Sequence, residues 1–409
     1  MRITRRIMGR ILSGLLPLLL LAGCGEDRPT VVGAVLPLSG EWSVYGEPIR
    51  KGIELAHEQI EARFEAEDYT LDLDLDVRDS ESQPARARQL MEELFKSGGA
   101  TVVLGGVTSA EALEMTRGGL LDRIERVLLS PSASSPSLSG TSRHFFRIFP
   151  TDLQEGTKMG SFAGLELELD QVAVLAVNNP FARGISNLFQ DEFERYDGEV
   201  LGEVVYPEDT EDFGQYVDEV LALDPPAIYI ADFAEPVRQI LEVFLARGYR
   251  GQILTTSAFA SPDVIEAAGD AAEGVILTQT LFDPDGEEPQ VQAFVQAYEE
   301  KYGEMPGLFA AHGYDAMMVA AEALEESRLP SDMWQALRSL DYAGVTGQIQ
   351  FDERGDIGKF PRVYQIQDGR LIDYEAISRQ RMEELQRRRQ QIFKDLERLR
   401  RERQGGGNP

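Results

Sequence analysis

Short apolar runs rich in β-branched residues alternate with helix-period segments along most of the chain. Residues 31–36 read as a buried strand, and after a Gly/Ser loop Ile49, Ile53, Ala56 and Ile60 recur on one helical face. Strands follow at 71–77, 101–104 and 127–129, separated by helices that start near Gln83 and Ser109. Parallel neighbours need a crossover between them, usually a helix, so this order predicts a parallel sheet covered on both faces. A second series begins after 145–150. It has strands at 172–177, 200–205, 227–230 and 252–255, with helices at 181–196, 213–223 and 236–247. In the last helix Val237, Ile240, Leu241, Phe244 and Leu245 form one apolar stripe. Two similar α/β halves are expected. The strand 275–279 and the helices 290–302 and 309–325 have no sheet of their own and are expected to return to the first half. Residues 348–372, rich in short strands, are expected to cross back to the second.

The two ends differ from this body. Arg2, Arg5, Arg6 and Arg10 precede an apolar run over 11–22 that is shorter than a membrane span and closes on Ala22-Gly23-Cys24, the pattern of a secretory signal. Leu21-Ala22-Gly23-Cys24 also resembles the bacterial lipobox, which implies an acylated Cys24 and an envelope protein tethered at the periplasmic face. At the other end, 378–403 contain no Gly or Pro, and Met382, Leu385, Arg389, Ile392, Leu396 and Leu399 fall at heptad a and d spacing. Ten basic residues face five acidic ones there. A solvated charged helix and one that docks on a partner helix, a second copy or an anionic membrane surface both remain open. The expected organisation is a signal over 1–23, a lipidated linker over 24–30, a first lobe from 31–147 and 280–347, a second from 148–279 and 348–376, and a charged helical tail over 377–409.

Composition narrows the function. The chain has 409 residues, enough for two ordinary domains, and its 43% hydrophobic and 27% charged content is a globular balance. A formal charge of −30 argues against a nucleic-acid surface, which needs clustered Lys and Arg. One cysteine excludes an intrachain disulfide, and His57, His144 and His312 are too scattered for a zinc site. Asp72, Asp74 and Asp76 alternate as in a calcium loop, but Val77 stands where that loop needs Gly, so they read as the wet face of a strand. No nucleophile elbow or phosphate-cradling Gly-Lys loop is present. No catalytic residue, metal or cofactor is therefore assigned.

Binding chemistry is expected where strands end. In open α/β sheets ligands collect there, beside helix amino termini with unpaired amides. Three loops qualify. The first, 38–46, carries Trp42 and Tyr45; the second contains Val107, Thr108 and Ser109; the third contains Ser132, Ala133 and Ser134. Each alone reads more simply as N-caps and solvated turns. Three such loops after strands of one sheet point instead to a shared anion or carboxylate pocket.

These motifs in this order resemble the type I periplasmic solute-binding proteins, in the branched-chain amino acid and amide branch that serves ABC importers. The resemblance rests on Val32-Gly33-Ala34-Val35-Leu36-Pro37-Leu38-Ser39-Gly40, Val103-Leu104-Gly105-Gly106-Val107-Thr108-Ser109, Leu129-Ser130-Pro131-Ser132-Ala133-Ser134-Ser135-Pro136 and Thr346-Gly347-Gln348-Ile349-Gln350-Phe351-Asp352-Glu353-Arg354-Gly355-Asp356. It implies two Rossmann-like lobes with parallel sheets joined by three crossovers near 147–150, 278–282 and 347–351. It further implies a small-molecule ligand between the lobes and an inner-membrane ABC permease as partner. Ser109 and Ser134 match the hydroxyls that hold an α-carboxylate, with Ser132 giving main-chain contact and Tyr45 at the pocket mouth. Phe181 and Phe233 match aromatics that close from the other lobe. Ser257 stands where amino acid binders carry an acid for the ligand ammonium, so the resemblance leaves an amino acid, an amide or a carboxylate open, with Asp232 or Glu235 as substitutes for the missing acid. A non-transport sensor or scaffold that docks a partner through the tail is the alternative.

Overall fold

A computed structural model describes residues 30–378 apart from 70–71, 280–281, 285, 328 and 375–376. The signal, Cys24 and the heptad tail lie outside the described residues. Five strands, β1 (Thr30–Leu36), β2 (Leu73–Asp79), β3 (Ala100–Gly105), β4 (Val127–Ser130) and β5 (Phe145–Arg147), form a wholly parallel sheet in the order β2-β1-β3-β4-β5. The crossovers run through α1 (Ser43–Ala66), α2 (Pro84–Lys96), α3 (Ser109–Thr116) and α4 (Leu120–Ile124). Burial of both sheet faces explains the unbroken apolar runs. Val32, Ala34 and Leu36 of β1 face one core, and Val35 faces the other with Leu90, Met91, Val103 and Leu128.

The chain then passes to the second lobe through α5 (Asp152–Leu165), a helix the apolar pattern does not announce. There β6 (Gln171–Val177), α6 (Pro180–Arg195), β7 (Glu199–Tyr206), α7 (Gly214–Leu221), β8 (Ala227–Ala231), α8 (Ala234–Arg247), β9 (Gln252–Thr255), α9 (Pro262–Ala268) and β10 (Ile276–Gln279) follow. Afterwards α10 (Pro289–Tyr302), α11 (Leu308–Glu326) and α12 (Met333–Ser339) lead to the hairpin β11 (Tyr342–Gly344) and β12 (Gly347–Ile349), and β13 (Arg362–Gln367) and β14 (Arg370–Asp373) finish the second sheet. Its order is β14-β13-β10-β9-β8-β6-β7.

The expected return of the strand 275–279 to the first half, at odds with the bound 148–279 drawn for the second lobe, is wrong. β10 lies in the second sheet, parallel to β9 through Ile276 and Leu254 and antiparallel to β13 through Ile276 and Gln365. Its buried residues pair with a strand that arrives more than eighty residues later, so chain order alone does not place it. The helices after it do reach the first lobe, where α11 packs along α1. That crossing is close because both helices carry glycine at the contact. A Cβ on Gly52 would overlap the carbonyl of Ala310, and one on Gly313 would lie 2.8 Å from Ile49 Cα. No helix among the described residues is long and apolar enough to cross a membrane.

Candidate functional site

The three loops singled out above converge between the lobes. Thr108 caps α3 and forms a reciprocal box with Glu111: Glu111 N donates to Thr108 Oγ1 (3.2 Å), and the amides of Val107 (3.2 Å) and Thr108 (3.4 Å) donate to Glu111 Oε2. Ser80 Oγ donates to the other Glu111 oxygen at 2.6 Å. This buried carboxylate therefore consumes two loop amides and sets the loop's shape. The next loop is knitted onto it. Ser130 Oγ donates to Gly106 O (2.8 Å), Ser132 Oγ donates to Val107 O (2.7 Å), and Ser135 N donates to Ser109 Oγ (3.2 Å). With its oxygen accepting from Ser135, the Ser109 hydroxyl keeps its proton for another acceptor.

Arg147 holds this assembly from below. Its guanidinium, 0% exposed, donates to Asp356 Oδ1 (2.7 Å), to the carbonyls of Ala133 (3.3 Å) and Ser135 (2.9 Å), and to Ser139 Oγ (2.7 Å). One side chain thus ties the carbonyls on either side of Ser134 to the third crossover.

A cavity of about 40 Å³ remains between the lobes. Ser109, Ser132, Ser134 and Thr108 face it from the first lobe and Ser257 from the second, with Tyr45, Phe181 and Phe233 as aromatic walls. Val107 lines it too. Two expected members stand elsewhere: Ala133 is buried with its carbonyl on Arg147, and Trp42 lines a neighbouring chamber. The sequence reading missed Phe149 and Phe309, which complete the walls. Tyr45 spans the cleft: its hydroxyl accepts from Ala234 N (2.6 Å) and donates to Ala258 O (3.3 Å), both in the second lobe. Its ring packs edge-on to Phe309, and Phe233 stacks on Phe181 at 5.3 Å between centroids. The lobes are closed on each other at this point.

The carboxylate not found at position 257 arrives from α5. Glu155, fully buried, accepts from Ser257 N (2.5 Å), Ser257 Oγ (2.8 Å) and Thr278 Oγ1 (2.6 Å). Burial raises its pKa, and the three donors offset part of that. Because Ser257 spends its proton on Glu155, its oxygen is left to accept from whatever occupies the pocket. Asp232 and Glu235 do not line this pocket. Asp232 is held by Tyr206 Oη (2.6 Å) and Phe233 N (2.7 Å), and Glu235 pairs with Arg238. Both instead border the neighbouring chamber of about 370 Å³, together with Glu41, Glu208, Glu211, Trp42, Tyr206 and Phe213; no Lys or Arg lines it.

One turn before Glu155, Asp152 is 0% exposed and neither carboxyl oxygen has a hydrogen-bond partner. Burial pushes it up to about 8; the Ser134 hydroxyl beside it lowers it, Glu155 raises it further and Arg147 lowers it. Burial likewise lifts Glu111 and Asp232 to about 7. Groups with raised folded-state pKa bind more protons folded than unfolded, so their stabilisation is complete below the unfolded value near 4 and is lost as pH rises through 7 and 8. Surface acids held low, such as Asp79 and Glu92, titrate below this window, and buried His312, lowered to about 3, opposes the trend only up to its unfolded value near 6.5 and is outweighed by the three acids. Thermal unfolding is therefore expected to show a higher midpoint at about pH 5 than at about pH 8, and Asp152→Asn is expected to flatten the difference. A wild-type midpoint that climbs across that range contradicts this assignment.

The histidines are structural: His57 Nε2 meets Leu73 O (3.0 Å), His144 Nδ1 meets Asp122 (2.8 Å) and His312 Nδ1 meets Leu308 O (2.9 Å). Asp76 pairs with Arg78 on the open face of β2. Among the described residues no cluster of His, Cys, Asp and Glu could hold a metal ion.

Two α/β lobes closed over a hydroxyl-lined, aromatic-walled pocket define a solute-binding protein. The chain belongs to the periplasmic binding protein family, whose profile matches residues 29–370. It is 24% identical over 330 residues to the leucine-, isoleucine-, valine-, threonine- and alanine-binding protein of Pseudomonas aeruginosa, covering 79% of this chain and 86% of that one. Among solved structures, a leucine-binding protein of Thermotoga maritima superposes with a TM-score of 0.77 at 25% identity, covering 84% of this chain and 97% of the other. A solute-binding protein of an ABC transporter from R. palustris, solved with benzoate, superposes at 0.75 with 20% identity, covering 85% and 95%. These relatives are named as binding proteins, and this chain belongs to the same family of binding proteins.

Proposed function

We propose that this chain is an exported, lipid-anchored receptor that captures a compact α-amino acid between its lobes and presents it to an inner-membrane ABC importer. The pocket's two unlike ends carry the reading. At one end the Ser109 hydroxyl offers a donor beside the amino terminus of α3, with Ser134 lining the pocket next to it, which suits a carboxylate. At the other end Ser257, polarised by Glu155 behind it, offers an acceptor that suits an ammonium group. The aromatic walls between them suit a short apolar side chain.

Size and charge favour this over a plain anion. With the lobes closed the cavity is only about 40 Å³, which favours a compact ligand. The acid-lined chamber beside it repels anions and tolerates zwitterions. The relative named for leucine, isoleucine, valine, threonine and alanine supports the class. Ser109 and Ser134 take the carboxylate, Tyr45 latches the lobes, and Phe181 and Phe233 cover the side chain; Cys24 supplies the anchor.

A thermal-shift panel tests the class, because a bound solute raises the midpoint by mass action. Alanine, threonine or valine is expected to shift it while benzoate and acetamide do not; the reverse order refutes the assignment. Ser109→Ala is expected to weaken the binding of the active solute about tenfold or more, equivalent to about 1.4 kcal/mol. Unchanged affinity in calorimetry removes Ser109 from the site.

A further inference from the structure

A separate cavity of about 350 Å³ lies in the seam between the lobes and shares no lining residue with the hydroxyl pocket. Its walls come from both sides. Pro262 and Ile265 of α9 and Leu371 of β14 belong to the second lobe, while Met305 and Leu308, at the start of α11, belong to the first. The lobes touch at its edge, where a Cβ on Gly307 would sit 3.0 Å from Pro262 Cδ.

The walls are mainly apolar; the charged Asp283 and Arg370 line it from exposed positions and the buried Tyr364 adds a phenol, while Gln279 is a buried side chain with an unmet acceptor. Gln279, at the end of β10, is 4% exposed and lines the cavity. Its Nε2 donates to Phe282 O at 3.1 Å, which fixes which end of the amide is the oxygen, and Oε1 has no hydrogen-bond partner. Buried acceptors in folded proteins are almost always satisfied. A cavity of this size with mainly apolar walls and a buried, unsatisfied acceptor has the make-up of a small-molecule site. Its chemistry differs from that of the cleft, where several hydroxyls and a buried carboxylate meet in a much smaller space.

We propose that the seam cavity is a second ligand site, which takes a compact, largely apolar molecule whose single N–H or O–H donates to Gln279 Oε1. The inference goes beyond the amino acid reading of the cleft and does not depend on it. An occupant touches both lobes, so it is placed to bias their relative position.

Indole is a suitable probe, because it is planar and apolar with one N–H, and 1-methylindole is its match without the donor. Titrated against the full chain by calorimetry, indole is expected to bind saturably and at least about tenfold more tightly than 1-methylindole. Gln279→Leu is expected to bring the two affinities together. Leu371→Trp, on a half-buried edge strand, fills the cavity and is expected to abolish both, with an unchanged circular dichroism spectrum showing that the fold persists. Ser109→Ala leaves indole binding unaltered if the seam is the site. Equal affinities in the wild type, binding that survives Leu371→Trp, or loss on Ser109→Ala each overturn the proposal, the last by placing indole in the cleft; the amino acid panel stands or falls separately.

Discussion

Arg147→Met is expected to destabilise the protein by about 3 to 5 kcal/mol and to abolish solute binding, because it strands a buried acid and releases the loop that carries Ser134. The guanidinium is wholly buried, and Asp356, its ionic partner, is 8% exposed. Deleting the cation leaves that carboxylate without its partner in a poorly hydrated place. It also leaves the Ala133 and Ser135 carbonyls without donors, each loss costing about 1 kcal/mol or more. Arg147→Lys is expected to recover little, since a single ammonium cannot reach Asp356, two carbonyls and Ser139 from a fixed fork. Urea unfolding with calorimetry on the surviving folded fraction separates the two effects. Near wild-type stability in the methionine variant removes Arg147 from its assigned place.

Gly52→Val is expected to have an effect as large, but on the first lobe alone. The α1–α11 crossing tolerates no side chain at this position: a Cβ would overlap Ala310 O and approach Tyr314 N to 2.7 Å, both of them backbone atoms that cannot swing aside. The helices must separate, opening a gap among Ile49, Ile53, Ala310 and Met317, and overpacking of this kind costs about 1 to 3 kcal/mol before the lost contacts are counted. Hydrogen exchange is the informative probe. Faster exchange is expected in α1, α11 and the first sheet, with β6 to β9 protected as before. Uniform loss across both sheets shows instead that the lobes unfold as one unit.

The sequence makes the sheets legible where strands are buried on both faces, because an unbroken β-branched run such as Val172 to Val177 has few other uses. Loops at strand ends were legible for a related reason, since a following helix start demands a cap and Thr108 supplies it. α5 was not. Its buried face consists of Asp152, Glu155, Gly156, Met159, Gly160, Phe162 and Ala163, so polar residues and glycines occupy the positions where an apolar stripe is sought. The glycines are there for contact with α6: a Cβ on Gly156 would lie 2.8 Å from Ile185 O and one on Gly160 2.6 Å from Phe189 O. Missing that helix meant missing Glu155, the carboxylate behind Ser257, and Asp152, the buried acid beside Ser134. Phe149 and Phe309 escaped because they reach the cleft from a crossover and from a helix that returns from the other lobe, not from a strand-end loop. The signal that finds Glu155 is its place: an acid in the first turn of the helix that directly follows the first crossover.

Native mass spectrometry of protein purified without refolding tests the central claim most directly. Wild-type chain is expected to carry one small solute per molecule, of amino acid mass, and the Ser109→Ala/Ser134→Ala double variant, folded by circular dichroism, is expected to arrive empty. The same solute retained by the double variant contradicts capture by these hydroxyls between the lobes.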